Sequence, residues 1–433
     1  MTILKEKLAE KIPVWREDIK TLAKEHGDTV ISQVTVAQAF GGQRGVKCLV
    51  CDTSVVDPEK GVTYRGYPIG ELTDKSPAEV FYLLCTGELP DDAAHRALQD
   101  TLAARAEVPA YVWKVLYALP EDTHPMEMLS LAILALERES IFRRRYTEGM
   151  HKMDYWEPVL EDSLRLIAKL PSIAAGVYRI RYNVGEPISR DPGLDWGTSY
   201  AQMLGMPDPE GKFKQFMRLY LTLHADHEGG NVSANTCHTV GSSLADSYYS
   251  VCAGLSGLAG PLHGLASQEC LQFVLDIRDN FNGVPSADQL KKFIWDRLNS
   301  GRVVPGYGHA VLRATDPRFS ALHKFGSENC PDDELFSIVD MCFKNVPDVL
   351  KEQCKAKIPW PNVDAGSGAL LHHFGVVHPG YYTVCFGVSR ALGMLSQLIL
   401  NRAMATPITR PKSISTAWIK DYIAKESKVP AHA

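Results

Sequence analysis

Helical periodicity runs through most of this 433-residue chain and constrains its fold more than any other feature. Leucine, alanine, isoleucine and methionine recur at three- and four-residue spacing, and proline or glycine separates the periodic segments. This pattern predicts helices over residues 126–139, 159–170, 213–224, 287–298 and 388–404. The sequence therefore predicts a mainly α protein.

One segment near the N-terminus has a β pattern instead. Residues 46–56 are rich in β-branched and apolar side chains, residues 57–61 carry a turn signal, and residues 62–65 resume the strand pattern. This arrangement predicts one small β-hairpin. No internal repeat, low-complexity tract or Ser/Gly-rich linker is seen in the sequence.

Charge and hydropathy limit the partners of the protein. The chain contains 46 Lys and Arg residues and 51 Asp and Glu residues, which gives a net charge of −5. No long basic run is present in the sequence. This balance is not typical of a nucleic-acid-binding protein. The longest apolar stretch, residues 381–400, contains Ser389, Arg390 and Gln397, so we expect neither a transmembrane helix nor a membrane partner.

The ten cysteines are scattered through apolar stretches and are expected to be free, mostly buried thiols in a reducing compartment. Cys48 and Cys51 form a CxxC pair, but no second pair follows, so the sequence favours neither a redox nor a zinc site. The N-terminal residues are rich in acidic side chains and lack the features of secretory or transit peptides. Either the protein works where it is made, or a presequence has already been removed.

Glycine and proline are dense in residues 228–231, 257–264, 301–308 and 359–368, which therefore predict loops between helices. In the second of these loops Pro261 precedes an apolar helical pattern, so His263 is expected in a first helical turn. There the helix dipole would keep the imidazole neutral and able to donate to a carbonyl oxygen, as in triosephosphate isomerase. The alternative is a histidine that only satisfies nearby backbone groups.

Two further loops carry candidate catalytic residues. Glycines flank Tyr307 and His309 follows, which permits close approach of the backbone to a ligand, although the alternative is an ordinary turn. The segment lacks the Gly-Lys-Ser/Thr end of a P-loop. Asp364 follows a proline-stiffened loop and begins the next apolar run, so it is either a helix N-cap or a general base whose pKa is raised by desolvation.

The histidine-rich segment His224-Ala-Asp-His227-Glu228 is neither HExxH nor a 2-His-1-carboxylate pattern, so no metal is predicted. Arg390 lies inside an otherwise apolar helix and needs an anionic partner, for which a bound dicarboxylate is a candidate. For Arg318 and Arg410 the alternative is a weak surface ion pair.

Together these segments resemble citrate synthase of the type found in mitochondria and some bacteria. The resemblance rests on HADHEGGNVS (224–233), GPLHG (260–264), RVVPGYGH (302–309), WPNVD (360–364) and FGVSRALG (386–393). It runs in the same order from about residue 41 to residue 415, nearly the whole chain.

The resemblance implies a homodimer in which a large helical domain, residues 1–263 and 375–433, and a smaller helical domain, residues 264–374, enclose the active site in a cleft. It implies an acyltransferase of the citrate (Si)-synthase type that converts the acyl group into an alkyl group on transfer. Acetyl-CoA condenses with oxaloacetate, and hydrolysis of the thioester yields citrate and CoA without a cofactor or metal. The second domain is expected to close over the substrates after oxaloacetate binds.

The resemblance also assigns the residues. Asp364 matches the base that takes a methyl proton from acetyl-CoA. His263 matches the group that is hydrogen-bonded to the thioester oxygen, and His309 matches the group that polarises the oxaloacetate ketone. The resemblance assigns oxaloacetate binding to His227, Arg318 and Arg390, and to Arg410 across the dimer interface. It assigns CoA binding to Arg44, Val303, Gly306, Tyr307, Arg313, Lys355 and Lys357.

Some positions depart from animal mitochondrial members. The stretch between Gly66 and Leu89 is shorter, Lys152 replaces an arginine that contacts CoA from the partner subunit, and Asn235 and Gly366 replace histidines. Gly366 is expected to alter the room for the acyl group. These departures favour a bacterial or other non-animal source and a cytoplasmic location, with the mitochondrial matrix as the location of a processed mature form.

Three other functions stay open. The first is a 2-methylcitrate synthase that uses propionyl-CoA, which differs only in the space around the acyl methyl group. The second is a metal-dependent hydrolase built on His224, His227 and Glu228. The third is a catalytically inactive binding protein.

Overall fold

A computed structural model describes residues 2–309, 311–354 and 358–426, and these residues are mostly α-helical. The first helices are α1 (Ile3–His26), α2 (Val36–Phe40), α3 (Pro77–Thr86), α4 (Asp92–Ala103), α5 (Ala110–Tyr117), α6 (Pro125–Leu136), α7 (Ile141–Thr147), α8 (Trp156–Arg181), α9 (Trp196–Leu204) and α10 (Lys212–Leu223). The others are α11 (Val232–Ser242), α12 (Ser247–Leu258), α13 (Ala266–Phe281), α14 (Ala287–Asn299), α15 (Pro317–Asn329), α16 (Glu334–Gln353), α17 (Asp364–His373), α18 (Tyr382–Ala403) and α19 (Thr416–Glu426). Short 3₁₀ helices cover Ile69–Leu72, Glu137–Glu139, Lys152–Asp154 and Pro379–Tyr381.

The predicted mainly α fold is confirmed, and helices α6, α8, α10, α14 and α18 occupy the segments in which periodicity predicted them. The prediction over residues 159–170 ended too early, because α8 continues through Pro171 to Arg181. A proline inside a helix removes one backbone hydrogen bond. Here Pro171 itself, Leu170 and Ile173 are buried, so tertiary packing offsets that loss.

The β segment differs from the predicted hairpin in two ways. Strand β1 (Ser54–Asp57) pairs with β2 (Gly61–Tyr64), and β2 also pairs with a third strand, β3 (Tyr67–Pro68). Arg65 and Gly66 both have positive φ, which makes the tight turn between β2 and β3. Residues 46–53, predicted as part of the first strand, lie outside it, and Thr53 alone among them is buried. The Thr53 carbonyl accepts from the N–H of Arg65 at 2.9 Å, but no strand in the described part of the chain pairs with residues 46–53, so their β-branched pattern was misleading.

Helix α18 is the centre of the fold. It packs against α3, α8, α10, α11 and α12, and most of its side chains are buried. Within the described residues, Pro379–Ala403 is long and apolar enough to cross a bilayer, but 89% of its most apolar window is buried inside the protein. Its apolar character is therefore that of a core helix.

Helices α13 to α17 form a second group that packs mainly within itself. Helix α17 contacts α13, α15 and α16, and α14 packs on α16. A few contacts, such as those of α15 with α10 and of α13 with α18, join this group to the helices around α18. The loops before α11, α13, α15 and α17 meet where the two groups face each other.

Candidate active site

His227 lies in the loop between α10 and α11 and has an unused ring nitrogen. Its Nε2 atom is buried and has no hydrogen-bond partner among the described residues. Its ring centroid lies 5.6 Å from that of His309. Burial and the nearby Arg318 and Arg390 hold the pKa of His227 well below its usual range. A neutral imidazole with an unsatisfied buried nitrogen is suited to bind a polar ligand.

His309 is held in one tautomer by its own loop. Its Nδ1 atom accepts hydrogen bonds from the backbone N–H groups of Val311, at 3.0 Å, and Leu312, at 2.9 Å. Burial, followed by the charge of Arg318, lowers the pKa of His309. The neutral ring therefore carries its proton on Nε2, which can donate to a carbonyl oxygen.

His263 does not lie in a first helical turn, so that prediction was wrong. It belongs to a turn in which its N–H donates to the Gly260 carbonyl at 3.0 Å, and α13 begins only at Ala266. The turn packs tightly on the end of α12, since a Cβ atom at Gly264 would lie 2.1 Å from the Leu258 oxygen. This packing on α12 outweighs the preference of Pro261 for a helix start.

His263 is nevertheless neutral, for a different reason from the predicted helix dipole. Burial, with a smaller effect of Arg390, lowers its pKa to about 4. Its Nε2 atom accepts from the Ser233 N–H at 3.2 Å and lies 2.9 Å from the Ser233 hydroxyl. The proton is therefore on Nδ1, which is available as a donor.

Asp364 is the first residue of α17 but does not cap it. The N-cap residue is Val363, and no side chain caps the helix there. Burial raises the pKa of Asp364 to about 6, against the opposing charges of Arg318 and Arg390. A half-buried carboxylate with a pKa near neutrality has the properties of a general base, so the N-cap alternative is not supported.

Asn362 ties Asp364 to the loop of His309. Its N–H donates to the Gly306 carbonyl at 2.8 Å, and its Nδ2 atom donates to the Gly308 carbonyl at 3.0 Å. Its Oδ1 atom accepts from the N–H of Asp364 at 3.0 Å. One amide side chain thereby fixes the spacing between the two loops that carry His309 and Asp364.

Arg318 and Arg390 are buried cations with different partners. Arg318, 4% exposed, forms an ion pair with Asp316 at 2.7 Å. Arg390, 2% exposed, donates to the carbonyl of His224 and to Oδ1 of Asn231, both at 3.2 Å. Among the described residues, no carboxylate forms an ion pair with Arg390. A buried guanidinium without a counter-ion favours the binding of an anion.

These groups belong to one electrostatic environment. The charge of Arg390 lowers the pKa of both His263 and Asp364. The charge of Arg318 lowers the pKa of both His309 and Asp364. Together with the contact between His227 and His309 and the bonds of Asn362 to both loops, this places the predicted base, the two predicted histidines and two predicted anion-binding arginines in one region.

Of the other predicted site residues, some are exposed and some share the loop of His309. Arg44 and Arg410 are exposed. Val303, Gly306, Tyr307 and Arg313 share the His309 loop, where Val303 is 75% exposed and Arg313 donates to the carbonyl of Val311 at 2.6 Å. Lys355 and Lys357 lie outside the described residues.

The metal-hydrolase alternative is not supported by the structure. Within residues 2–309, 311–354 and 358–426, no group of three or more His, Cys, Asp and Glu side chains is arranged to hold a metal ion. His224 Nδ1 lies 2.8 Å from the Tyr220 carbonyl, and Glu228 Oε1 accepts from the N–H of Val56 at 2.6 Å. The His224 and Glu228 side chains thus form hydrogen bonds with backbone groups of the protein.

The effect of Gly366 on the room for the acyl group stays a prediction. A Cβ atom at this residue would contact Val339 and Phe319 at 3.4 and 3.5 Å. Its open side therefore faces α16 and α15 within the second helix group.

Ser233 and Asn231 are site residues that were not predicted from the sequence. Asn231 is the N-cap of α11 and accepts from Arg390, and Ser233 holds His263. The Asn-Val-Ser spacing before an apolar run is a local N-cap signal that identifies Asn231. Ser233 has no such signal, because its partner lies thirty residues away in the sequence.

We expect Ser233→Ala to lower kcat about three- to tenfold, because the hydroxyl partner of His263 is lost while the backbone N–H remains. Steady-state kinetics at saturating substrate measure this effect. Ser243→Ala, which removes an exposed hydroxyl at the other end of α11, is the matched control. Equal kcat values for the two variants would contradict the role of Ser233.

Known proteins are similar to this chain over most of its length. The family model described as "Citrate synthase, C-terminal domain" matches residues 42–412. The mitochondrial citrate synthase of Saccharomyces cerevisiae is 50% identical over 436 residues, covering 98% of this chain and 91% of the relative. The mitochondrial citrate synthase of Neurospora crassa is 49% identical, covering 96% and 91%. The crystal structure of citrate synthase from Pyrobaculum aerophilum matches with a TM-score of 0.77 and 28% identity, covering 87% of this chain and 92% of that chain.

Proposed function

The chain belongs to the citrate synthase family, and we propose that Asp364, His263 and His309 carry out its reaction. The activity is of the citrate (Si)-synthase type, a transferase activity of the tricarboxylic acid cycle. Acetyl-CoA condenses with oxaloacetate, and the resulting thioester is hydrolysed to citrate and CoA. Asp364 removes a methyl proton from acetyl-CoA while Nδ1–H of His263 donates to the thioester oxygen, which becomes the enol oxygen. The enol carbon then attacks the oxaloacetate ketone, whose oxygen takes the proton from Nε2 of His309.

The observation that supports this assignment best is that a buried arginine without a counter-ion lies near a carboxylate whose pKa is raised. Arg390 lacks an ion-pair partner among the described residues, and it is close enough to Asp364 to lower the pKa of that carboxyl. A dianionic substrate supplies the missing negative charge. In a closed, dry site the fixed N–H donors stabilise the developing enolate more than water does.

Oxaloacetate binding is assigned to His227, Arg318 and Arg390 from one subunit and to Arg410 from the other. The exposure of Arg410 in a single chain supports a role across a homodimer interface. Exposed apolar side chains near both termini, including Leu22, Phe40, Ile408 and Trp418, support the same dimer. Sedimentation analysis of the purified protein tests this: a monomer at micromolar concentration would exclude this role of Arg410.

The two helix groups support a division into a large domain, residues 1–263 and 375–433, and a small domain, residues 264–374. His227, His263 and Arg390 then lie on the large domain, and His309, Arg318 and Asp364 on the small one. Closure would complete the site and exclude water during condensation. CoA is assigned to Arg44, Val303, Gly306, Tyr307, Arg313, Lys355 and Lys357.

The acyl donor is acetyl-CoA. The curated relatives are citrate synthases, which does not favour the 2-methylcitrate alternative. Comparison of kcat/KM for acetyl-CoA and propionyl-CoA tests this choice, and a preference for propionyl-CoA would overturn it. Release of free thiol from acetyl-CoA on addition of oxaloacetate separates an enzyme from an inactive binding protein.

The proposed mechanism uses only side chains and the two substrates. Full activity after exhaustive chelation is therefore expected, and a loss that is restored by a metal would contradict it. For the location we propose the mitochondrial matrix, because the two relatives are named as mitochondrial. These names do not support the cytoplasmic location that the sequence departures favoured.

The pH dependence of the reaction follows from the pKa of Asp364. The base acts only when ionised, and its pKa is raised to about 6, so protonation removes activity as the pH falls through 6. His263, with a pKa lowered to about 4, stays neutral over that interval. We expect kcat/KM for acetyl-CoA to fall about tenfold per pH unit below 6. A flat profile between pH 8 and pH 5 would contradict Asp364 as the base.

A further inference from the structure

A polar cluster around His238 holds the segment that leads to Arg410. His238 is half-buried in the second half of α11. Its Nδ1 atom lies 2.7 Å from Nδ2 of Asn401, near the end of α18, and its Nε2 atom lies 3.0 Å from Oγ1 of Thr409. The amide nitrogen of Asn401 can only donate, so Nδ1 accepts and Nε2 carries the proton that is donated to Thr409. One neutral imidazole thus links α11 to α18 and to the residue before Arg410.

Thr409 is the point at which this segment contacts the rest of the chain. Its N–H donates to the Ser242 hydroxyl at 3.0 Å. In the described stretch 407–418, every residue except Thr409 is exposed. The position of the next residue, Arg410, therefore depends on the two bonds of Thr409 to α11.

The base of the segment is fixed separately. Arg402 donates through Nη2 to the carbonyls of Gly241, at 2.5 Å, and Ala245, at 2.9 Å. Burial, with the charge of Arg402, lowers the pKa of His238, in agreement with the neutral tautomer. Loss of the His238 bond would thus leave Thr409 held only by its N–H bond to Ser242, without detaching the end of α18.

We propose that His238 is a positioning residue for Arg410, which it orients toward the active site of the partner subunit. The inference rests on the proposed function, in which Arg410 binds oxaloacetate across the dimer. Helix α11 would then contribute to both active sites. In its own subunit, Ser233 in its first turn contacts His263 and its N-cap residue Asn231 contacts Arg390. Its second half orients the arginine that enters the site of the partner subunit.

Three variants test this role by kinetics. His238→Ala and Thr409→Val each remove the bond between Nε2 and Oγ1, and we expect KM for oxaloacetate to rise about three- to tenfold, the size of one or two neutral hydrogen bonds. KM for acetyl-CoA and the melting temperature should stay near their wild-type values. His238→Gln places an amide donor near the former Nε2 position and should bring KM to within about twofold of wild type. Ser243→Ala, an exposed change on the same helix, should leave KM unchanged.

Mixed dimers show which subunit is affected. A dimer of one His238→Ala chain and one Asp364→Asn chain has a single working base, in the His238→Ala chain. That site receives Arg410 from the chain with an intact His238, so its KM for oxaloacetate should equal the wild-type value. A raised KM in this mixed dimer would mean that His238 acts within its own site, which overturns the proposal.

Arg410→Ala separates failure of this inference from failure of the proposed function. If Arg410→Ala raises KM for oxaloacetate but His238→Ala and Thr409→Val do not, only the positioning role is overturned. If Arg410→Ala itself leaves KM unchanged, the proposed role of Arg410 fails, and the positioning role fails with it.

Discussion

Asp364→Asn is expected to lower kcat about 10³-fold, within the range found for loss of a general base. The amide is nearly isosteric with the carboxylate but cannot accept the methyl proton of acetyl-CoA. Oxaloacetate should still bind with a similar dissociation constant, because its assigned ligands are His227, Arg318 and Arg390. Rates of thiol release and calorimetric titration with oxaloacetate measure the two quantities independently.

The matched control is Asp348→Asn, a change of the same chemistry at a side chain that is 61% exposed on α16. It should have wild-type kcat. Turnover by Asp364→Asn within tenfold of the control would remove Asp364 as the base. A dissociation constant for oxaloacetate that rises as much as kcat falls would instead indicate a binding role.

The same substitution should stabilise the protein at neutral pH. The pKa of Asp364 is about 6 in the folded state, against 3.8 for an ordinary aspartate, so between these pH values the folded state binds more protons than the unfolded state. The free energy of unfolding therefore decreases as the pH rises from about 4 to about 6. Asparagine does not titrate, so the variant avoids this decrease in the free energy of unfolding, which is about 1 to 3 kcal/mol for a half-buried group. The gain in melting temperature should be present at pH 7 and absent at pH 4.

The helices could be predicted from the sequence because their signal is local. Apolar spacing decides which face of a helix is buried, and this needs no knowledge of the partner helix. The limits of the β segment could not be predicted in the same way. Whether residues 46–53 form a strand depends on a neighbouring strand, and the positive φ of Arg65 that permits β3 has no clear signal in an arginine.

The candidate site was predicted more fully than its supporting contacts. Arg390 stood out because a charge in an apolar helix needs a partner, and the structure gives it no carboxylate among the described residues. His263 was correctly expected to be neutral, but through a helix start that the packing of Gly264 on Leu258 prevents. Asn362 and Ser233 act through contacts between distant segments, and nothing in their local sequence indicates those contacts.

Arg390→Leu is the second substitution with a large expected effect. It should raise the dissociation constant for oxaloacetate at least about 100-fold, since loss of a buried, charge-assisted contact costs several kcal/mol. Calorimetric titration with oxaloacetate alone measures this without turnover. Lys169→Leu, which replaces another buried cation whose charged neighbours include Arg105, Glu139 and Glu161, is the control and should leave oxaloacetate binding unchanged.

Arg390→Leu should weaken oxaloacetate binding without lowering the stability of the ligand-free protein. The guanidinium is 2% exposed and has no ion-pair partner among the described residues, so leucine removes the cost of keeping an uncompensated charge out of water. This gain outweighs the loss of the hydrogen bonds from Arg390 to the His224 carbonyl and to Oδ1 of Asn231. We therefore expect the free variant to melt no lower than wild type. Oxaloacetate at 100 times its dissociation constant should stabilise wild type by about 2.7 kcal/mol and, at the same concentration, have little effect on the variant. A variant that melts lower yet binds oxaloacetate normally would show that Arg390 supports the fold and does not bind the substrate.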